Sequence, residues 1–188
     1  MKMIANNIKM GHVLEYKNDL YRVVKQPTHT QPGKGGAYIQ VEMKSIKTGT
    51  KVNERFSSSE DVMKARLETK DFQYLYTQDN KIVLMDQETY DQIEIESEML
   101  GEKIAFLTEN MILTVEMHEE TAITIRLPET IICEIAECEP VTKGQTVTSS
   151  YKPAILTNGL RVMVPPFIES GTKIVVRTED VTYVERAK

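Results

Sequence analysis

The 188-residue chain contains no tryptophan and only two cysteines. Two cysteines cannot form a disulfide framework, and Cys133 and Cys138 would face opposite sides of a continuous strand because five positions separate them. We therefore expect free thiols there. The histidines His12, His29 and His118 are too scattered to predict a zinc site. The sequence thus predicts a protein that holds no metal and no cofactor.

Long hydrophobic runs are also missing. No apolar segment approaches the roughly 18 residues of a membrane span. The opening residues 1–7 lack the apolar region of a signal peptide. The prediction is a cytoplasmic protein without membrane association.

Apolar and polar residues alternate along much of the chain, as in residues 37–44, 111–117 and 121–127. Alternation with a period of two is typical of half-buried strands. The Asn-Gly pair at 158–159 is a strong hairpin signal, since both residues tolerate positive φ. The sequence therefore predicts an all-β protein.

Two segments depart from this pattern. Between Ser97 and about Thr108, apolar residues recur at helical spacing behind a suitable N-cap, which predicts one short helix. A second helical turn is a weaker expectation for Ser59–Lys64. Near residues 64–66 a basic stretch gives way to an acidic one, and near Pro128 one predicted strand ends before another begins at Thr130. These two boundaries suggest three small domains with expected bounds 1–64, 65–127 and 128–188.

Basic residues are fewer than acidic ones: the chain has 23 Lys+Arg and 28 Asp+Glu, which gives a net charge of -5. A deficit argues against a nucleic-acid partner, since phosphate binding needs clustered cations. The charge is unevenly distributed, however: residues 1–64 carry +5, residues 65–127 carry -9 and residues 128–188 carry -1. The first domain can therefore still hold RNA.

One loop stands out, between a strand ending near Lys25 and one starting near Ala37. Its tip reads Pro32-Gly33-Lys34-Gly35-Gly36. Glycines permit sharp turns and remove bulk around the lysine. Such a tip could enter a narrow site or present its amine to a modifying enzyme, and a solvated turn lysine is the plain alternative.

Catalytic motifs are not found. The loop is not a nucleotide-binding Walker motif, because Thr28 stands where its first glycine is needed and Gly35 follows the lysine in place of Ser or Thr. No Gly-x-Ser-x-Gly pattern occurs either. We assign no catalytic residue and expect a protein that is not an enzyme.

Several segments together resemble the bacterial elongation factor P family, from the first domain to the end of the chain. They are Pro32–Gly35, Lys143–Thr146, Lys152–Ala154, Asn158–Ile168, Gly171 and Tyr183–Arg186. There are departures. Gln145 replaces a common Asp, and the turn Arg177–Val181 lacks the glycine expected before the final strand.

The resemblance implies an L-shaped arrangement of three β-barrels, the first SH3-like (KOW-like) and the other two OB-like. It implies a monomer that binds the 70S ribosome between the P and E sites, beside peptidyl-tRNA. There it would stimulate peptide-bond formation, notably at consecutive prolines. Lys34 would be the residue to which a lysine-modifying enzyme adds a β-lysyl or related group.

The resemblance and the residue types also suggest RNA contacts by Gly144, Tyr183 and Arg186. Two other functions stay open: an elongation-factor-P-like paralogue, and a general OB-type RNA-binding protein. Lys34 favours the family proper over the paralogue, which commonly lacks a lysine there. An aromatic content of only 6% disfavours the general module, which needs stacking platforms.

Overall fold

The computed structural model describes residues 1–141 and 150–188. Three antiparallel sheets follow one another along the chain. The prediction of an all-β protein is therefore confirmed.

The first sheet contains seven strands. Six of them follow the order β1-β7-β2-β3-β5-β4, and the seventh, β6, also pairs with β5. They are β1 Lys2–Ile4, β2 Val13–Tyr16, β3 Asp19–Val23, β4 Thr28–Thr30, β5 Tyr38–Ser45, β6 Lys51–Ser57 and β7 Asp61–Lys64. A 3-10 helix, Ala5–Asn7, joins β1 to β2. Alternating residues of β5 such as Ile39, Val41 and Met43 are fully buried and form its core with Leu14.

The second sheet has the order β10-β9-β8-β11-β12. Its strands are β8 Glu68–Gln78, β9 Lys81–Asp86, β10 Gln92–Glu96, β11 Ile112–His118 and β12 Thr121–Arg126. Between β10 and β11 lie two consecutive 3-10 helices, Ser97–Met99 and Gly101–Phe106. The helical element is where the sequence predicts it. It is not one α-helix, because Gly101, the first residue of the second piece, has φ +56°.

The third sheet has the order β15-β14-β13-β16-β17. Its strands are β13 Thr130–Cys138, β14 Lys152–Leu156, β15 Arg161–Val164, β16 Lys173–Arg177 and β17 Thr182–Arg186. The predicted hairpin turn joins β14 to β15, with Gly159 at φ +85° and the Asn158 Oδ1 accepting a hydrogen bond from the Leu160 N–H.

A hydrophobic cluster of the third sheet also contains Phe106, from the 3-10 helix before β11. Phe106 is 1% exposed. The other buried members are Ile135, Ala154, Leu156, Val162, Val164, Ile168, Ile174 and Val176. The second and third sheets thus share apolar packing through this ring.

The chain divides into two compact units. One is Met1–Glu68 with Met117–Ile123, and the other is Thr69–Glu116 with Thr124–Lys188. In the first unit, Val13, Ala65 and Ile123 form a small buried cluster of their own.

Two local expectations are wrong. The segment Ser59–Lys64 is not helical, because its second half is β7, which pairs with both β1 and β2. The loop predicted between Lys25 and Ala37 is also shorter than expected, because Thr28–Thr30 forms strand β4 within it. Cross-strand hydrogen bonding outweighs weak local preference in both segments.

Cys133 and Cys138 are free, as expected, but both pack against the same cluster. The reason is a bulge in β13: Ile135 pairs with Leu156 while Glu137 pairs with Ile155, so Ala136 is an extra residue. A bulge exchanges the faces of the residues that follow it. Burial raises the pKa of the Cys133 thiol, which keeps it protonated.

The turn before β17 is built without the glycine expected there. Val181 adopts φ +54°, a left-handed conformation that is costly for a β-branched residue. Asp180 stabilises the turn, because its Oδ1 accepts a hydrogen bond from the Thr182 hydroxyl at 2.7 Å. Its Oδ2 lies 3.5 Å from Arg177 Nη1. Side-chain interactions thus hold a strained backbone.

We expect Val181→Gly to be more stable than Val181→Ala by about 1 kcal/mol, since both remove the same methyl groups and only glycine escapes the left-handed penalty. Thermal or urea unfolding measures the difference. At Val52, a strand position in β6, the order should be reversed, with glycine about 0.5–1 kcal/mol worse than alanine. The same order at both positions would contradict strain at Val181.

His12 should make the first unit sensitive to acid. Its pKa is lowered by burial, and next by the nearby charges of Lys64 and Lys9. A lowered pKa means that the unfolded chain binds the proton more readily. Stability is therefore fully present above the ordinary histidine pKa of 6.5 and falls as the pH drops through it. Unfolding of His12→Gln should show a weaker loss of stability between about pH 7.5 and 5.5; an unchanged loss would contradict this role.

Candidate functional site

The loop that carries Lys34 is a hairpin tip in the first sheet. β4 pairs antiparallel with β5, and the last pair before the loop is Thr30 with Tyr38. Residues 31–37 therefore form the connection, and Lys34 lies at its centre. Pro27, before β4, is buried and anchors the start of the hairpin.

Glycines leave free space around the lysine. A Cβ added to Gly33 or Gly36 would meet no atom within 4 Å, and Gly35 has φ +124°. Lys34 is exposed, and in the described part of the chain its ammonium forms no ion pair. The amine is thus presented to solvent on a slender support.

Two contacts stabilise the foot of this hairpin. The guanidinium of Arg55, in β6, lies over the Tyr38 ring at 3.4 Å from its centroid. On β4, the His29 Nδ1 is 3.1 Å from the Asn6 Oδ1 of the 3-10 helix. Sequence reasoning missed the Arg55–Tyr38 stack, because only the register of β5 against β6 brings these residues together.

The residues of β5 and β6 that point away from the core form a polar surface, which we call the outer face. Ile39, Val41, Met43 and Ser45 are buried, so the alternate residues of β5 lie outward. On this face Gln40 pairs with Arg55, and Lys44 pairs directly with Lys51. The only acid of β5, Glu42, is 3.8 Å from Lys25 Nζ.

Tyr183 and Arg186, the predicted RNA contacts near the end of the chain, both lie in β17. A bulge at Val184 places them opposite Val176 and Ile174, so that both project from one face although three positions separate them. Arg186 is exposed. The structure thus places these two side chains on the same face of β17, which regular alternation would not do.

The Tyr183 ring is half-buried against the third-sheet cluster. It makes an edge-to-face contact with Tyr151, with centroids 6.4 Å apart. The pKa of Tyr183 is raised by burial and by the neighbouring Tyr151. Intramolecular packing therefore buries part of the Tyr183 ring, while the neighbouring Tyr151 is 53% exposed. Gly144, the third predicted contact, lies outside the described residues.

Other site chemistry is not evident in the described residues. Within 1–141 and 150–188, no three His, Cys, Asp or Glu side chains lie close enough to hold a metal ion. No helix in those same ranges has the length and apolar composition needed to cross a bilayer.

Family models match almost the whole chain in three consecutive pieces. Residues 4–62 match the elongation factor P KOW-like domain, residues 67–125 the elongation factor P OB domain, and residues 131–186 the elongation factor P C-terminal domain. Proteins called elongation factor P in Rickettsia bellii and Rickettsia canadensis are 61% and 60% identical over 188 residues, covering 100% of each chain.

Solved structures show the same fold at low identity. Eukaryotic translation initiation factor 5A from Methanococcus jannaschii has a TM-score of 0.57 and 18% identity, and the match covers 66% of this chain and 95% of that one. A translation initiation factor eif-5a family protein from Naegleria fowleri has a TM-score of 0.51 and 20% identity, with 68% and 98% covered.

Proposed function

This chain belongs to the elongation factor P family and is a translation elongation factor, and we propose that it binds the 70S ribosome between the P and E sites, beside peptidyl-tRNA. There it stimulates peptide-bond formation, above all between consecutive prolines. The observation that carries this proposal is the exposed Lys34 at the centre of a glycine-flanked hairpin tip, in a segment of net charge +5.

Positioning is sufficient for such a role. Proline is a secondary amine with a restricted φ, so it reacts poorly when it is badly oriented. Holding two reactants in productive geometry can lower a barrier by about 7–11 kcal/mol at the extreme. A factor that orients peptidyl-tRNA therefore needs no acid or base of its own, which makes it a non-enzymatic factor without a cofactor.

A translation system that lacks the factor tests this function. Adding the protein should restore synthesis from a message with three consecutive prolines and should barely change synthesis from a matched message without them. Equal stimulation of both messages, or of neither, would contradict the proposal.

Lys34 is also proposed as the acceptor of a β-lysyl or related group, added by a lysine-modifying enzyme. The open space beside Gly33 and Gly36 would let the tip enter that enzyme's site. Intact-mass measurement of protein from its native cell, with the Lys34 peptide mapped, should show the added mass on that peptide. A mass equal to that of the unmodified chain would contradict this modification and would leave the translation role in place.

We propose that the factor acts in the cytoplasm as a monomer of three domains, with bounds at 1–64, 65–127 and 128–188. The sheets support these bounds, since β7 ends at Lys64 and β13 begins at Thr130. Tyr183 and Arg186 are proposed to contact ribosomal or messenger RNA, because one face of β17 presents a ring beside a cation.

A further inference from the structure

We propose that the outer face of β5 and β6 binds consecutive phosphates of an RNA strand beside the Lys34 tip. The residues that would bind them are Arg55, stacked on Tyr38, and the cross-strand pair Lys44 and Lys51. The inference rests on the proposed ribosomal function and names the surface that would hold the RNA backbone.

The Arg55 side chain is preorganised to bind an anion. Its guanidinium carbon lies over the Tyr38 ring at 3.4 Å from the centroid, and this cation–π contact restricts the orientation of the side chain. Its side chain is exposed, and within residues 1–141 and 150–188 it forms no ion pair with a carboxylate. A guanidinium that stacks through its face keeps its N–H edge for a phosphate, and a preorganised group loses less entropy on binding.

Lys44 and Lys51 are placed directly opposite each other in the antiparallel pair. Like charges in this position destabilise a sheet. Both side chains are exposed and, in the part of the chain that the structure describes, neither forms an ion pair. A polyanion would remove the repulsion, so this arrangement is more favourable with bound RNA than without it.

The cations of the outer face are spaced along the β5–β6 pair. Arg55 and Lys51 are four positions apart on β6, which corresponds to about 13 Å along the strand. Between these ends, the charge of Glu42 is offset by Lys25 at 3.8 Å. The outer face therefore presents positive charge along the whole β5–β6 pair, from Arg55 near the Lys34 loop to Lys44 and Lys51 at the opposite end.

Binding to 70S ribosomes that carry peptidyl-tRNA, measured over a range of salt concentrations, tests the inference. Arg55→Ala should weaken binding roughly tenfold at low salt. Each neutralised cation should lower the slope of log affinity against log salt by roughly 0.7–0.9. Lys44→Ala/Lys51→Ala should therefore lower it by about twice as much as Arg55→Ala does.

Matched variants separate binding from stability. Arg55→Lys keeps the charge and loses the planar guanidinium over the ring, so its affinity should lie between those of the wild type and Arg55→Ala with the slope retained. Lys44→Ala should weaken binding while leaving the melting temperature unchanged or raised, because it relieves the repulsion. Lys81→Ala, an equal charge change in β9, should bind as the wild type does.

The outcomes are distinguishable. If the wild-type protein does not stimulate the triple-proline message, the proposed function fails. If it does, and Arg55→Ala and the Lys44/Lys51 double variant bind with wild-type affinity and slope, the outer face is overturned while the function stands. If Arg55→Ala fails to fold, the affinity and salt slope of Lys44→Ala/Lys51→Ala test the outer face on their own.

Discussion

Lys34→Ala should abolish the rescue of a message with three consecutive prolines, while the protein stays folded. The amine at the tip is the group proposed to act beside peptidyl-tRNA, and alanine removes both the cation and the site of modification. Since the Lys34 side chain is exposed in a loop, the free energy of unfolding should change by no more than about 0.5 kcal/mol. An in-vitro translation assay and a melting curve measure the two quantities.

Two further variants sharpen this result. Lys34→Arg keeps a cation at the tip but offers no amine for an added group, so it should remain inactive if the extension is required. Lys81→Ala removes an exposed lysine from the second sheet and should retain full rescue. Full rescue by Lys34→Ala would show that the tip lysine has no part in the function.

Phe106→Ala should be the most damaging of the structural substitutions considered for this chain. The ring is 1% exposed and packs with residues such as Ile135 and Leu156 from the third sheet. Truncating a buried phenylalanine costs about 3–5 kcal/mol, because transfer energy is lost and a cavity remains. Guanidinium unfolding monitored by circular dichroism should show an earlier transition for the unit that contains the second and third sheets.

Phe167→Ala is the matched control, since it deletes the same atoms from a ring that is 57% exposed in the same compact unit. Its loss of stability should be much smaller. Equal shifts for the two variants would contradict a shared core built around Phe106.

Phe106 shows where periodicity misleads. An α-helical period in residues 97–108 points to Leu100, Ile104 and Leu107 as the buried residues. The segment forms two 3-10 helices instead, in which Leu100 and Phe106 are buried while Ile104 and Leu107 are only half-buried. Gly101 interrupts the helix at φ +56°, and that conformation depends on how the segment packs.

The candidate site was partly predictable. Proline and glycine around Lys34 predict a thin tip from composition alone, and the structure has an exposed loop there between β4 and β5. The Arg55–Tyr38 stack and the Lys44–Lys51 pair were not predictable, because they depend on the register between two strands. Register is set by the loop length and by which face is buried.

The residue pattern is enough to identify a β-protein of the elongation factor P family with Lys34 on a glycine-flanked tip. Alternation and turn residues act locally, and the family motifs are short and contiguous. Which side chains share a face of a sheet depends instead on how the strands pair in the folded protein. The bulges at Ala136 and Val184 each add one residue to a strand, and a shift of one residue exchanges the two faces of a sheet. Cys133 therefore joins Cys138 at one core, and Tyr183 joins Arg186 on one surface.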